Sequence, residues 1–259
     1  MATHGKYGRR PPYPDAVRPR LWLDEFFRPG ATVPQSVDFC SEVGDWPMSL
    51  NNQLGDCTIA AANHVQMAMN QYAHGKCAPW SDDVCLEAYE AVGGYVPGDP
   101  STDNGCAMQD VLEYWRTQGI GGDKILAYGA LSVPCYLPVR LQALYTFGAI
   151  YTGLKLPQSA ETQFDNGQPW TPEQKSPIAG GHCVDQQAEL QAIDEVRYVS
   201  WGETVSANRA FSYDFTEEAW CIISSDFVEV NGDNPDGFDL QAMNQALASL
   251  TGTSNPLSL

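Results

Sequence analysis

The stretch Asn51-Asn52-Gln53-Leu54-Gly55-Asp56-Cys57-Thr58-Ile59-Ala60-Ala61-Ala62-Asn63-His64 decides the fold, together with its continuation Val65-Gln66-Met67-Ala68-Met69-Asn70. A polar, glycine-containing turn passes directly into a small-residue helix pattern. Asp56 reads as the N-cap, which sets Cys57 in the first turn of a helix running to about His74. Unpaired N–H groups and the positive dipole end favour an anion there. A thiol at that position is therefore expected to have a lowered pKa and to be nucleophilic. The three alanines keep the helix slim, which suits a buried central position. The competing reading makes Cys57 a small buried hydrophobe, the commonest fate of a free cysteine. His64 lies two turns on, about 10 Å away along the axis by helical rise. That is too far for proton transfer, so His64 reads as a packing or capping histidine, and His74 beside Gly75 as a C-terminal cap.

Working outward, the 259 residues are 43% apolar and 11% aromatic, enough for a sizeable core and against disorder. No apolar run reaches the length of a membrane span, and residues 1–12 contain no secretory h-region. The chain is expected to be made in the cytosol, with its cysteines reduced at first. The eight cysteines lack C-x-x-C spacing, which argues against structural zinc and against a dense disulfide framework. No cofactor and no metal site are expected. The net charge of −18 opposes nucleic-acid binding. Charge is unevenly spread: Lys6, Arg9, Arg10, Arg18 and Arg20 stand against Asp15 alone in the first twenty residues. Such a basic arm can fold back on the acidic body or dock on a neighbouring subunit.

Prolines 11, 12, 14, 19, 29 and 34 make residues 1–40 an extended arm with one helical turn near Trp22–Phe27. Residues 41–125 read as a helical lobe. It holds the Cys57 helix, a helix from Ser81-Asp82-Asp83 to Val92, a solvated turn-rich loop over 95–105, and an amphipathic helix over Met108–Gln118. Residues 126–230 read as a β-rich lobe. A strand over Lys124–Tyr128 leads in, followed by a helix over Pro138–Phe147 and a strand over Ala149–Leu156. A long polar loop over Gln158–Ile178 comes next, then strands over His182–Leu190, Glu195–Trp201 and Trp220–Ser224. Residues 231–259 read as a C-terminal helix, Phe238–Leu250, and a tail. Helices precede strands, an α+β pattern with an antiparallel second lobe.

The second half of a candidate site lies in Gly180-Gly181-His182-Cys183-Val184, which places His182 at a strand mouth where a backbone can approach closely. Tyr198-Val199-Ser200-Trp201-Gly202 ends another strand. A cysteine at a helix start, a histidine at a later strand, and a Ser-Trp-Gly strand end form a joint pattern.

That constellation resembles the papain-like cysteine peptidases over roughly residues 45–226. The family's Gly-His-Ala-Val-like context is matched by Gly181-His182-Cys183-Val184, and its Ser-Trp-Gly by Ser200-Trp201-Gly202. Asn104-Gly105-Cys106-Ala107-Met108 through Trp115 resembles the helix after the family's glycine-rich loop. The Gly-Asp-Cys-Thr turn and the Trp-Gly strand end are nearest to uncharacterised papain-like proteins of tailed bacteriophages and bacteria, a resemblance that implies the host cytoplasm as location, with incorporation into a virion as a further destination. The resemblance implies catalytic Cys57 and His182, with Asn51 or Gln53 as the amide donor to an oxyanion, Asn51 being preferred by its spacing. Ser200 and Trp201 then orient the histidine. The family's orienting Asn is replaced by Val199, so His182 must be held by a carbonyl, by Ser200, or by nothing. Asp185 is a poor substitute, because three positions along a strand it faces the other way.

Two functions follow from the resemblance. One is a cysteine peptidase or related thiol hydrolase acting on peptide or isopeptide bonds, phage-encoded, with a peptide substrate. The other is a non-catalytic virion or assembly protein that reuses the fold and has virion subunits as partners. A thiol-dependent transferase on the same Cys–His pair is not separable from the first by sequence.

Overall fold

Small side chains let helix α1 (Cys57–His74) run through the middle of the molecule, with every residue from Cys57 to Ala68 buried. It ends where Gly75 takes a left-handed conformation (φ +63°) and returns its N–H to Gln71 O. Residues 4–28, 30, 32–135, 137–225 and 237–257 are described by the computed structural model. Helix α2 (Asp82–Gly93) starts at Ser81, whose hydroxyl accepts the Val84 N–H. Helix α3 (Met108–Thr117) buries Met108, Val111, Leu112 and Trp115 at helical spacing. These three helices share a core with Trp80, Tyr89, Tyr151 and Trp220.

The strands form one antiparallel sheet, which takes in Ser36–Asp38 of the segment expected to be an extended arm. Its strands are β1 (Ser36–Asp38), β2 (Ala127–Leu131), β3 (Ile150–Pro157), β4 (Ile178–Leu190), β5 (Glu195–Ser200), β6 (Glu203–Asn208) and β7 (Thr216–Ile223). The order is β2-β7-β3-β4-β5-β6, with β1 paired to the end of β4. Helices α4 (Leu137–Phe147), α5 (Gln158–Asp165), α6 (Arg209–Phe215) and α7 (Leu240–Thr251) complete the chain. One further core gathers Leu23, Phe147, Ile150, Phe238 and Met243. Another gathers Trp170, Tyr198, Trp201 and Phe211 around Leu154 and Val184. Arg140 of α4 is buried. It donates to Ser212 Oγ of α6 at 2.8 Å and to Glu189 Oε1 of β4 at 2.9 Å. His64 is a packing histidine: its Nε2 lies 2.8 Å from Pro47 O and its ring meets Trp46 edge-on.

The α+β architecture and the helices of the first lobe agree with the sequence reading, and the second lobe departs from it in several places. The polar segment 158–178 is not all loop. Helix α5 forms directly after Pro157, because Ala160, Gln163 and Phe164 fall on one buried face. The strand expected at Lys124–Tyr128 lies at Ala127–Leu131, where pairing with β7 fixes its register. His182 is not at a strand mouth. β4 already begins at Ile178, and His182 pairs with Leu154 in mid-strand. Trp201 does not end a strand but opens a turn (φ +51°) into β6. The one helical turn expected near Trp22–Phe27 is present as a 3-10 turn over Leu23–Phe26, with Leu23 fully buried. The expected boundary at 230–231 and the last residues of the tail lie outside the described residues.

Two outcomes follow from these buried groups. Glu189→Leu strands the Arg140 charge and is expected to cost about 3–5 kcal/mol in urea unfolding. Adding Arg140→Met is expected to restore most of that loss. Burial also lowers the His64 pKa to about 4 from the ordinary 6.5. Between those two values the unfolded chain takes a proton that the folded chain refuses, so this group's contribution falls as pH falls. Relative to His64→Gln, the wild type is therefore expected to lose about 1.4 kcal/mol per pH unit across that window. The comparison cancels the opposite pull of the buried carboxyls Asp56 and Asp185, whose pKa values burial raises.

Candidate active site

Cys57 begins α1 at the seam between the two lobes, 1% exposed. The first turn of the helix is fastened to the sheet by Tyr151, whose hydroxyl donates to Thr58 O at 2.7 Å. The peptide groups of Cys183 on β4 and of Gly8 on the arm both act on the Cys57 sulfur. Cys57 is thus set against the strand residue adjoining His182. Asp56 occupies the N-cap position, but its side chain makes no cap hydrogen bond. It is fully buried and accepts from Asn51 Nδ2 at 3.2 Å. The turn itself is held from the loop over 95–105, where Asp103 accepts the Gly55 N–H at 2.8 Å and the Tyr89 hydroxyl at 2.6 Å. Burial raises the Asp103 pKa, but these bonds and Lys6 outweigh it and hold the carboxyl below its ordinary value.

His182 is also 1% exposed. Its Nε2 lies 2.8 Å from Ser200 Oγ, so the serine stands where a histidine partner is needed. Its Nδ1 is buried with no hydrogen-bond partner. Trp201 covers the imidazole, with ring centroids 4.6 Å apart at a tilt of 31°. Val199 is fully buried on the preceding position, and Asp185 takes a hydrogen bond from Gln187. Asn51 is buried beside the Cys57 turn, whereas Gln53 is exposed on the turn's outer side.

The arm fills the cleft between these groups. Lys6 N–H donates to Asn51 O at 2.7 Å, and Asn51 Nδ2 donates back to Lys6 O at 3.1 Å. Gly8 N–H and Arg9 N–H both reach Gly181 O, at 3.3 and 3.0 Å. On the other wall Cys106 N–H donates to Gly8 O at 2.8 Å, and Arg10 N–H donates to Cys106 O at 2.9 Å. Arg9 and Cys106 form a parallel bridge. Only glycine fits at position 8, because a Cβ there would stand 1.6 Å from Gly55 O. Tyr7 sets its ring edge-on to His182 at 5.9 Å and donates its hydroxyl to Glu161. His4 caps the segment on Asp165, its N–H donating at 2.9 Å.

Electrostatics follow from this closure. Burial pushes the Cys57 thiol up to about 12, and Asp56 adds to the rise. Burial, then the positive charge of Arg9, drives His182 down to about 3. The expectation of a lowered thiol pKa is therefore overturned in this closed arrangement: desolvation under the arm outweighs the helix terminus. Both groups are neutral here. Sequence reasoning grouped Cys57, Asn51, His182, Ser200 and Trp201; the structure sets Asn51 beside the Cys57 turn and Ser200 and Trp201 against His182, and no hydrogen bond joins Cys57 to His182 among the described residues. It missed the contributions of Tyr7, Gly8, Arg9, Cys106 and Asp103. The uneven charge of the arm was the one available signal for them.

No family model and no curated protein matches the chain. Among solved structures it is similar to xylellain, a cysteine protease from Xylella fastidiosa, at 13% identity and a TM-score of 0.63, over 86% of this chain and 98% of that one. It is similar to the Carica candamarcensis cysteine protease CMS1MS2 at 13% identity and a TM-score of 0.56, over 74% of this chain and 99% of that one. The proform of Amb a 11, a cysteine protease and major ragweed pollen allergen, aligns at 14% identity and a TM-score of 0.57, over 82% of this chain and 72% of that one. The architecture built from the Cys57 helix and the facing antiparallel sheet is that of the papain-like cysteine proteases.

Proposed function

We propose that this chain is a thiol hydrolase of peptide or isopeptide bonds, working through Cys57 and His182 and held closed by its own arm. One observation carries the reading: an extended peptide segment, residues 4–10, already lies over Cys57 and is gripped through its backbone from both walls. A cleft that binds a peptide in this way presents the nucleophile to a peptide carbonyl. Asn51 Nδ2, proposed here as an oxyanion donor, already binds the carbonyl of Lys6.

With the arm displaced, water reaches the pair and the desolvation that keeps it neutral is relieved. The Cys57 proton passes to His182, and the thiolate attacks the carbonyl carbon. The oxyanion is stabilised by the Cys57 N–H and Asn51. The C–N bond breaks as His182 returns its proton to the leaving amine. Water then hydrolyses the thioester with His182 as base, releasing a carboxylate and the thiol. A phage-encoded or bacterial setting, in the host cytoplasm or a virion, rests on the resemblance of the Gly-Asp-Cys-Thr turn and the Trp-Gly strand end.

A second reading, a non-catalytic assembly protein on the same fold, is favoured by Val199 at the orienting position and by the occupied cleft. Alkylation separates the two. Iodoacetamide labelling of Cys57 against pH, read by peptide mass spectrometry, is expected to be slow in the wild type. In Gly8→Ala, whose added methyl cannot enter the slot, labelling at pH 7 is expected to rise about tenfold or more as thiolate becomes accessible. A low-pH limb is expected that disappears when His182→Ala is added. A Cys57 as inert as the core thiol Cys85 in both Gly8→Ala and Arg9→Ala would sink the hydrolase reading and leave the assembly role.

A further inference from the structure

The backbone contacts of the arm are ones any peptide can make, so sequence preference must come from side chains. Within the cleft-filling segment 4–10, one side chain enters the body of the protein deeply. Arg9, 2% exposed, passes beside Gly153 and Met108 to a pair of glutamates at the start of β7. Its Nη1 donates to Glu218 Oε1 at 2.8 Å, and its Nη2 donates to Glu217 and to Leu154 O at 3.2 Å. Glu218 is 1% exposed and also accepts from Trp220 Nε1 at 3.0 Å. A Cβ at position 153 would stand 2.8 Å from Arg9 Cδ and 2.7 Å from the Met108 sulfur, so the missing side chain there is what opens the pocket. Glu217 lies nearer the surface and is shared with Lys155 at 2.7 Å.

From this geometry we infer that the cleft contains a guanidinium-selective subsite, and that the peptide class it accepts in place of the arm carries arginine at the position of Arg9. The inference rests on the cleft being a peptide-binding site, and it adds the determinant of selectivity. When the arm leaves, Glu218 stays inside the protein without its cation, and a buried charge robbed of its partner is costly. An incoming arginine restores the pairing. A neutral side chain leaves the carboxylate stranded or forces it to take a proton. Lysine supplies the charge, but its single ammonium cannot divide two donor arms between two glutamates and a carbonyl, so it ranks below arginine.

The test uses the full chain as Gly8→Ala, which unseats the arm without altering the pocket, with Arg9→Ala in parallel. The probe is a fluorescein-labelled peptide of residues 4–13, His-Gly-Lys-Tyr-Gly-Arg-Arg-Pro-Pro-Tyr, followed by anisotropy. Versions with citrulline or lysine in place of the first arginine are compared. The arginine peptide is expected to bind about tenfold or more tightly than the citrulline peptide, with lysine between them. Adding Glu218→Gln is expected to abolish the difference. Equal affinity for arginine and citrulline, a preference that survives Glu218→Gln, or no binding of the arginine peptide by either chain would overturn the subsite. Cleavage of the same peptides is read separately. Selective binding without cleavage keeps the subsite and rejects the hydrolase reading. Cleavage indifferent to arginine keeps the hydrolase reading and rejects the subsite.

Discussion

Burial of the first turn of α1 against β3 and β4 is the constraint on which the rest of the molecule depends. It requires small side chains along Ala60, Ala61 and Ala62, and it uses Tyr151 as a fastening from the sheet to Thr58 O. Once that turn is inside, Asp56 and Cys57 lose solvent together. Their proton affinities then answer to desolvation before they answer to the helix terminus. The same seam sets Cys183, the neighbour of His182 on β4, against the Cys57 end of the helix. The candidate chemistry is therefore a by-product of how tightly two lobes close on one slim helix.

The arm completes that closure with charge as well as with backbone. Lys6 joins Asp103, Arg9 joins Glu217 and Glu218, and Arg18 joins Asp110, so the basic segment lies on its own acidic body. The exposed pairs contribute little each. The Arg9–Glu218 pair differs, because both partners are buried and removing one strands the other's charge. The positive charge of Arg9 also falls on His182. One residue thereby plugs the cleft and disfavours the imidazolium, while the same charge favours the thiolate of Cys57.

The parts of this arrangement that were readable in the sequence are those written locally. Gly55-Asp56-Cys57 followed by alanines announces a turn and a slim helix, and the helix runs Cys57–His74 as the pattern implies. Gly181-His182 and Ser200-Trp201 were legible as a pair because their order along the chain matches a known constellation. What was not legible is written across long separations. Arg9 and Glu218 stand 209 residues apart, and neither residue type advertises the other. Strand β6 and helix α6 escaped because Glu203–Asn208 and Arg209–Phe215 mix polar and apolar residues without a sustained period. The thiol's proton affinity escaped for a further reason: it depends on what covers the helix end, and the cover comes from the far N-terminus.

Ser200 carries a consequence of its own. A carboxamide oxygen or a carboxylate opposite Nε2 can only accept, and so fixes the proton on that nitrogen. A hydroxyl both donates and accepts. Turning the Ser200 O–H satisfies His182 with Nε2 protonated or bare, at the same 2.8 Å. The imidazole of this protein is thus anchored in position but left free in tautomer. Which nitrogen holds the proton is then decided at Nδ1, buried and unpartnered beneath the arm, so the tautomer answers to whatever polar group an occupant of the cleft brings there.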